Sequence, residues 1–96
     1  MDHVVQHQEA GSKGAFFVAG ATGERLASMT YSRANEALVI IDHTEVGPSL
    51  AGQGVGRALL HALVGWARDS KTRVMPLCPF AKAQFDKDAS IRDVLM

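Results

Sequence analysis

The sequence has a single cysteine, Cys78, and no excess of either charge sign. One cysteine cannot form an intramolecular disulfide. Ten Lys and Arg residues balance ten Asp and Glu residues, and neither sign forms a long run. Proteins that bind nucleic acids normally concentrate cations on one face, so we expect no nucleic-acid partner. A few backbone amides can still hold one small anion without net positive charge.

Long apolar runs are missing too. No stretch approaches the roughly 20 apolar residues of a membrane-spanning helix, and we expect no membrane partner. Residues 1–5 lack the basic start and apolar core of a secretory signal, which together with the lone thiol predicts a reducing cytoplasm. The chain has 96 residues, of which 47% are hydrophobic. This size and composition predict one domain over residues 1–96.

The first half of the chain predicts antiparallel strands that turns separate. Apolar runs and polar–apolar alternation mark the strands, and glycine or asparagine marks the turns. The predicted strands cover 4–8, 14–19, 25–32 and 37–46, with a chain reversal at 33–35. The last strand is apolar on both faces at its start, as is typical of a central strand covered from both sides.

The second half predicts two helices around one strand. Apolar residues at helical spacing mark the first helix, over 55–68. A strand is predicted over 72–78, where Pro76 cannot donate to a β-ladder and must leave one edge unpaired. Pro79 precedes a second helix, over 81–87. The order of elements predicts an α+β or an α/β fold with a mixed sheet.

Three alternating glycines lie between the last predicted strand of the first half and the first helix, in Gly52-Gln53-Gly54-Val55-Gly56. A strand-to-helix junction combines unpaired amides with the positive end of a helix dipole, and this combination binds anions. Glycine permits the positive φ that such a loop needs. The alternative is a flexible connection without a ligand. Neither a P-loop nor a Rossmann motif fits, because the Lys and the glycine spacing that they require are missing.

This loop resembles the acetyl-coenzyme A signature of GNAT acetyltransferases, written R/Q-x-x-G-x-G/A. Ala51 stands where that pattern has Arg or Gln, so a side-chain contact of the family is not expected here. Two other segments, 41–46 and 76–82, look like those of the very short bacterial GNAT-like proteins. The resemblance covers most of the chain, residues 14–88.

The resemblance implies an α+β fold with a mixed, mostly antiparallel, splayed sheet and two main helices. In that fold the pantetheine arm of the cofactor lies between two diverging strands. The resemblance also implies acetyl-coenzyme A (acetyl-CoA) as cofactor and an unidentified amine as acceptor, with an open site that suits a protein or another bulky amine. In the family the loop amides hold the cofactor pyrophosphate. Arg57, at the start of the first helix, could reach a phosphate of the cofactor or could equally be a solvated surface residue. The expected cofactor-binding residues are Val46, Gly52, Gln53, Gly54, Val55, Gly56 and Arg57.

His43 and Cys78 are the candidate catalytic residues. Strand alternation predicts that His43 shares a face with Val39 and Ile41, at the polar end of a buried strand. From composition alone, a buried cysteine is more often a small hydrophobe, and a lone histidine more often has a structural role. The resemblance implies that the two residues act as a pair beside the acetyl group.

Two mechanisms suit this pair. His43 could deprotonate Cys78, whose thiolate would take the acetyl group. Alternatively the amine attacks acetyl-CoA directly, with His43 or Glu45 accepting its proton and Cys78 protonating the leaving thiolate. Two alternatives without catalysis are an acyl-CoA-binding or sensing module and an interaction domain whose glycine loop is a connector. No metal site is predicted, because His3 and His7 lie far along the chain from other candidate ligands.

Overall fold

The computed structural model describes residues 4–96, which form one five-stranded sheet packed against two α-helices. The strands are β1 (Gln6–Ala10), β2 (Lys13–Ala19), β3 (Arg25–Asn35), β4 (Leu38–Val46) and β5 (Arg73–Pro76). The helices are α1 (Val55–Asp69) and α2 (Pro79–Lys87), and 3-10 segments cover Pro48–Leu50 and Ala89–Val94. The first four strands form an antiparallel meander, and β5 joins β4 in parallel after α1. This architecture confirms the predicted fold class.

The hydrophobic core lies between the two helices and one face of the sheet, here called the inner face. The inner-face side chains of β2, β3 and β4 are buried together with the apolar stripe of α1 and the buried residues of α2. The alternate residues of β4 on the outer face, Leu38 and Ile40, are only half-buried. The prediction that this strand is fully covered from both sides is therefore wrong, because both helices bury their apolar residues in the same core. The inner-face residues are Phe16, Val18, Ala27, Met29, Tyr31, Val39 and Ile41.

β3 is longer than predicted. It runs through Arg33 to Asn35 instead of reversing at 33–35. The Arg33 guanidinium binds the Glu9 carboxylate of β1, with Nε and Oε2 2.8 Å apart, and this contact holds the strand in the sheet. The reversal follows at Asn35, whose side-chain oxygen accepts a hydrogen bond from the Ala37 amide at 2.8 Å.

β1 is an edge strand that one histidine connects to the core. It covers Gln6–Ala10 instead of the predicted 4–8, and all of its residues are exposed. The His7 ring nevertheless stacks on Phe16, with ring centroids 4.1 Å apart, and meets Trp66 edge-on at 5.0 Å. Aromatic contacts of this kind stabilise a fold by more free energy than the burial of their apolar surface alone provides.

A hydrogen-bond network extends from the same histidine. The Tyr31 hydroxyl donates to the Glu9 carboxylate at 3.0 Å and lies 2.6 Å from His7 Nε2. Because the hydroxyl has one proton, a neutral His7 that donates through Nε2 completes the network. Burial and the hydrogen bond to Glu9 raise the pKa of Tyr31 well above its ordinary value, so its hydroxyl stays protonated.

We expect the protein to lose stability as His7 is protonated. Burial lowers the pKa of His7 below its ordinary value; Arg33 acts in the same direction, and Glu9 opposes both. The unfolded chain therefore binds this proton more readily. The stabilisation is present above the unfolded pKa of about 6.5 and is lost as pH falls through the folded-state pKa. The urea concentration at the unfolding midpoint should therefore decrease when the pH is lowered from about 7.5 to about 5.

His7→Phe isolates this contribution, because it keeps a ring on Phe16 and removes the titrating group. Its urea midpoint should fall less than that of the unmodified protein over the same pH range. Parallel pH profiles for the two proteins would contradict the prediction.

His3, a candidate metal ligand in the sequence, lies outside the described residues. Within residues 4–96, no group of three or more His, Cys, Asp or Glu side chains is arranged to hold a metal ion. In the same part of the chain, every helix is too short or too polar to cross a bilayer.

Candidate active site

β4 and β5 diverge just before the glycine loop. Their parallel pairing ends at Ile41 and Pro76, because proline has no amide proton to continue the ladder. The amides of Leu77 and Cys78 instead both donate to the Ile41 carbonyl at 3.1 Å, and the chain turns into α2. β5 therefore stops at Pro76, short of the predicted end at residue 78. β4 continues to Val46 without a strand beside it on that edge among residues 4–96.

The open edge of β4 presents backbone hydrogen-bonding groups. The Gly47 amide donates to the carbonyl of Leu26, a residue of β3, at 2.7 Å. Successive residues of a strand direct their amides and carbonyls alternately to its two sides, so those of Thr44 and Val46 point to the open edge. An extended ligand can bind such an edge through strand-like hydrogen bonds. A side chain at Gly47 is excluded, because a Cβ there would lie 2.8 Å from the Leu26 oxygen.

A β-bulge in β4 decides which side chains lie on which face. β3 pairs Thr30 with His43 but Tyr31 with Ile41, so Asp42 has no opposite residue. One extra residue reverses the alternation of the strand. His43 consequently lies on the outer face with Thr30. The prediction that His43 shares a face with Ile41 is wrong.

Thr44 takes the inner-face position that alternation assigned to His43. It lies opposite the fully buried Met29. Its Oγ1 is 3.2 Å from Cys78 Sγ, and the thiol donates. Cys78 is 4% exposed and immediately precedes the first residue of α2, Pro79. The thiol therefore contacts a hydroxyl that can accept its proton or donate to its thiolate. No motif in the sequence singles out Thr44.

Thr44→Val should make Cys78 less reactive. Valine keeps nearly the same shape but removes the hydroxyl that can donate a hydrogen bond to the thiolate, the nucleophilic form. We expect alkylation by iodoacetamide at about pH 8 to slow about tenfold, and Thr44→Ser to restore the rate. Because Cys78 is the only cysteine, loss of free thiol reports this site alone. Equal rates in the unmodified protein and Thr44→Val would contradict the prediction.

His43 and Glu45 form an exposed pair on the outer face. His43 Nε2 and Glu45 Oε1 are 3.5 Å apart, and the side chains are 72% and 73% exposed. Such a pair adds little stability but leaves the imidazole accessible to a substrate. Cys78 bonds to Thr44 on the other face, and no hydrogen bond joins Cys78 to His43 in the described chain. The structure does not bring the predicted pair into contact.

The glycine loop leads into unpaired amides at the start of α1. Gly52 and Gly54 have φ values of +78° and +73°, which side chains rarely adopt. A Cβ at either position would meet nothing within 4 Å, so the loop is open there. The first bonded amide of the helix is that of Ala58, which donates to the Gly54 carbonyl at 3.1 Å. The amides before it, at Val55, Gly56 and Arg57, have no acceptor within the helix and fit an anion such as a pyrophosphate.

The third glycine, Gly56, lacks a side chain for a different reason. A Cβ on Gly56 would lie 2.7 Å from the ring of Phe80. Its absence lets the first turn of α1 pack against the first turn of α2. Gly56 therefore brings the loop close to the segment that carries Cys78.

Two polar side chains border the loop. Gln53 is exposed, and its side-chain amide donates to the Ser49 carbonyl at 3.2 Å. Arg57 is exposed on the first turn of α1, on the side of Asp88. Hydrogen bonds with Ser90 are the main reason that the pKa of Asp88 is lowered, and Arg57 adds a smaller effect. Gln53 belongs to the loop itself, and Arg57 directly follows Gly56 on α1.

Comparison with known proteins supports one family. The sequence matches the model of the family described as GCN5-related N-acetyl-transferase over residues 15–94. A GCN5-like protein from Staphylococcus aureus, with a solution structure from NMR, is 34% identical to this chain. That match covers 95% of this chain and 87% of the other, with a TM-score of 0.73. No curated protein matches the sequence significantly.

Two larger acetyltransferases share the fold at low sequence identity. Tetrahymena GCN5 has a TM-score of 0.65 at 10% identity, covering 79% of this chain and 49% of that protein. A Trypanosoma brucei acetyltransferase has a TM-score of 0.59 at 20% identity, covering 79% of this chain and 60% of that one. The chain therefore spans only part of these larger proteins. Since the family model matches most of the sequence, the chain belongs to the GCN5-related N-acetyltransferase family of acyl-CoA-dependent acyltransferases.

Proposed function

We propose that the protein transfers an acetyl group from acetyl-CoA directly to an amine. The observation that carries this proposal is the separation of the polar groups by the sheet. Thr44 and Cys78 meet on the inner face, whereas His43 and Glu45 pair on the outer face. Groups on opposite faces cannot exchange a proton directly, which argues against deprotonation of Cys78 by His43. It favours separate roles for the two residues.

Acetyl-CoA, when bound, supplies the acetyl thioester. We infer that the unpaired amides at the start of α1 hold its pyrophosphate, where the open loop and the helix dipole favour an anion. The open edge of β4 would bind the pantetheine amides through the backbone of Thr44 and Val46. The inferred binding residues are Val46, Gly52, Gln53, Gly54, Val55, Gly56 and Arg57.

Direct transfer requires two proton movements. The amine nitrogen forms a bond to the acetyl carbonyl carbon as the carbon–sulfur bond breaks. His43 takes the proton that the amine loses, and Glu45 stabilises the resulting imidazolium. Cys78 gives its proton to the departing sulfur and regains one from solvent. This role needs a free thiol, which a reducing cytoplasm maintains, and we infer that location.

Binding and turnover test the proposal in sequence. Acetyl-CoA is titrated calorimetrically with ATP as the control ligand, and release of the coenzyme thiol is then followed with a panel of primary amines. We expect specific binding, repeated turnover and no acetyl group on the protein by intact mass. If Cys78 instead becomes acetylated and passes the group to an amine, and Cys78→Ser abolishes both steps, the covalent route replaces direct transfer.

The remaining outcomes separate the alternatives. Tight binding without turnover of any amine would favour an acyl-CoA-binding or sensing module. Absence of binding would remove the basis of the proposal and leave the glycine loop as a connector.

A further inference from the structure

The outer face of the sheet carries a shallow cavity that reaches Thr30, the cross-strand partner of His43. Its volume is about 390 Å³, and its lining includes Gln8, Ala15 and Thr30. In the register of the sheet, these three residues and His43 are successive partners across β1, β2, β3 and β4. The floor of the cavity therefore runs in one row from the edge strand to Thr30, and the proposed base is the next residue of that row.

One end of this cavity carries a fixed positive charge. The Arg25 guanidinium lies 4.2 Å from the centroid of the Phe17 ring and donates to the Gln8 side-chain oxygen at 2.9 Å. Both partners are neutral. Within residues 4–96, no carboxylate forms an ion pair with Arg25. Its charge is held in place and is available to a ligand.

The second cation of the cavity is partly neutralised. Lys13 Nζ donates to the Ser32 hydroxyl at 2.7 Å, and that hydroxyl donates to Asp42 at 2.7 Å. The Asp42 carboxylate offsets much of the Lys13 charge, so Arg25 is the main group for an anion. Asp42 lines the β4 end of the cavity, where Lys13 offsets it, and Glu45 adds a negative charge beside His43, just outside the lining. The cavity is therefore positive at one end and negative at the other.

We propose that the acceptor is a small amine with an anionic group, which Arg25 binds while the amine lies beside His43. This inference rests on the proposed acetyl transfer and names its substrate class. Neighbouring strands are about 4.8 Å apart, so two strand spacings from β2 to β4 place the amine about 10 Å from the anion. A carboxylate or a phosphate would receive charge-assisted hydrogen bonds from the guanidinium. The acidic side chains at the other end attract the ammonium form of the amine before it is deprotonated.

Equilibrium binding tests the inference independently of turnover. Three probes are titrated into the isotope-labelled full chain with CoA present, and amide resonances are followed by NMR. They are a straight-chain ω-aminocarboxylate with its charges about 10 Å apart, the matching ω-aminophosphonate and the uncharged primary amide of the first. We expect an anionic probe to shift the resonances of Ala15 and Thr30 and to bind about tenfold more tightly than the amide. The stronger of the two anionic probes identifies the headgroup.

Two charge variants complete the test. Arg25→Gln should abolish the preference for the anionic probe. Lys87→Gln removes the same charge from the last turn of α2 and should keep that preference. When the preferred probe is acetylated, Arg25→Gln should have a higher KM than the unmodified protein and nearly the same kcat. Arg25 is expected to bind the substrate equally in the ground state and the transition state.

The outcomes separate this inference from the proposed reaction. Equal binding of amide and aminocarboxylate, no binding of any probe, or an unchanged preference in Arg25→Gln would overturn the inference. Selective binding of an anionic probe without its acetylation would support the ligand class and count against acetyl transfer instead.

Discussion

Gly54→Asp should weaken acetyl-CoA binding by about 100-fold or more. Gly54 has a φ of +73°, in which a side chain is strained, and open space where the new carboxylate would stand. That carboxylate would repel the pyrophosphate from the amides that we propose hold it. Loss of two charge-assisted hydrogen bonds, each about 1.5 kcal/mol, corresponds to about a 100-fold change in Kd. Calorimetric titration of the variant with acetyl-CoA measures the effect.

Gly11→Asp provides a matched control for this experiment. Gly11 has a φ of +61° and equally open surroundings, but it lies in the turn between β1 and β2. The two variants therefore share backbone strain and added charge and differ in location. We expect Gly11→Asp to bind acetyl-CoA normally. Unchanged binding in Gly54→Asp would reject the loop as the pyrophosphate site, and equal weakening in both variants would point to a general loss of folding.

Elements with local signals in the sequence agree closely with their prediction. α1 was predicted over 55–68 and covers Val55–Asp69, because its apolar period and the left-handed Gly54 before it both belong to the segment itself. α2 begins at Pro79 instead of residue 81, since proline suits the first turn of a helix. The glycine loop could be predicted for the same reason, as its chemistry depends on neighbouring residues.

The faces of β4 beyond Ile41 could not be predicted from the sequence. The bulge at Asp42 depends on how β4 pairs with β3, a relation between distant segments. Residues 42–45 are all polar, so neither choice of alternation puts an apolar side chain on the wrong face. The hydrophobic pattern therefore cannot show whether Thr44 or His43 lies on the inner face with Cys78.

The outer-face cavity could not be predicted from the sequence, for a related reason. Arg25 meets Gln8, 17 residues away, only because β2 brings β1 and β3 into register. In the sequence alone, Arg25 is one charged residue at the edge of a turn. Its charge becomes informative when the structure shows the neutral partners that hold it and the acidic residues at the far end of the cavity.

His43→Gln should lower kcat/KM for the acceptor amine by about 100-fold or more and leave acetyl-CoA affinity unchanged. A positioned general base typically contributes about 10²–10⁴ in rate. Glutamine keeps a polar side chain of similar length but cannot take a proton from the amine. The His43 side chain is 72% exposed and pairs with Glu45 across 3.5 Å, so its loss should cost little stability. Steady-state kinetics and calorimetric titration measure the two effects separately.

The pH–rate profile distinguishes a base from a residue that only supports the site. A general base gives the profile a limb in which activity falls toward low pH, and His43→Gln should lose that limb if His43 takes the amine proton. His61→Gln replaces another exposed histidine, on α1, and should retain both the limb and a rate within about twofold of the unmodified protein. A lower rate in His43→Gln with the limb retained would assign proton acceptance to Glu45, whose carboxylate lies beside His43 on the same face. Full activity in His43→Gln would reject a catalytic role for this histidine and leave the inner-face pair of Thr44 and Cys78 as the centre of the chemistry.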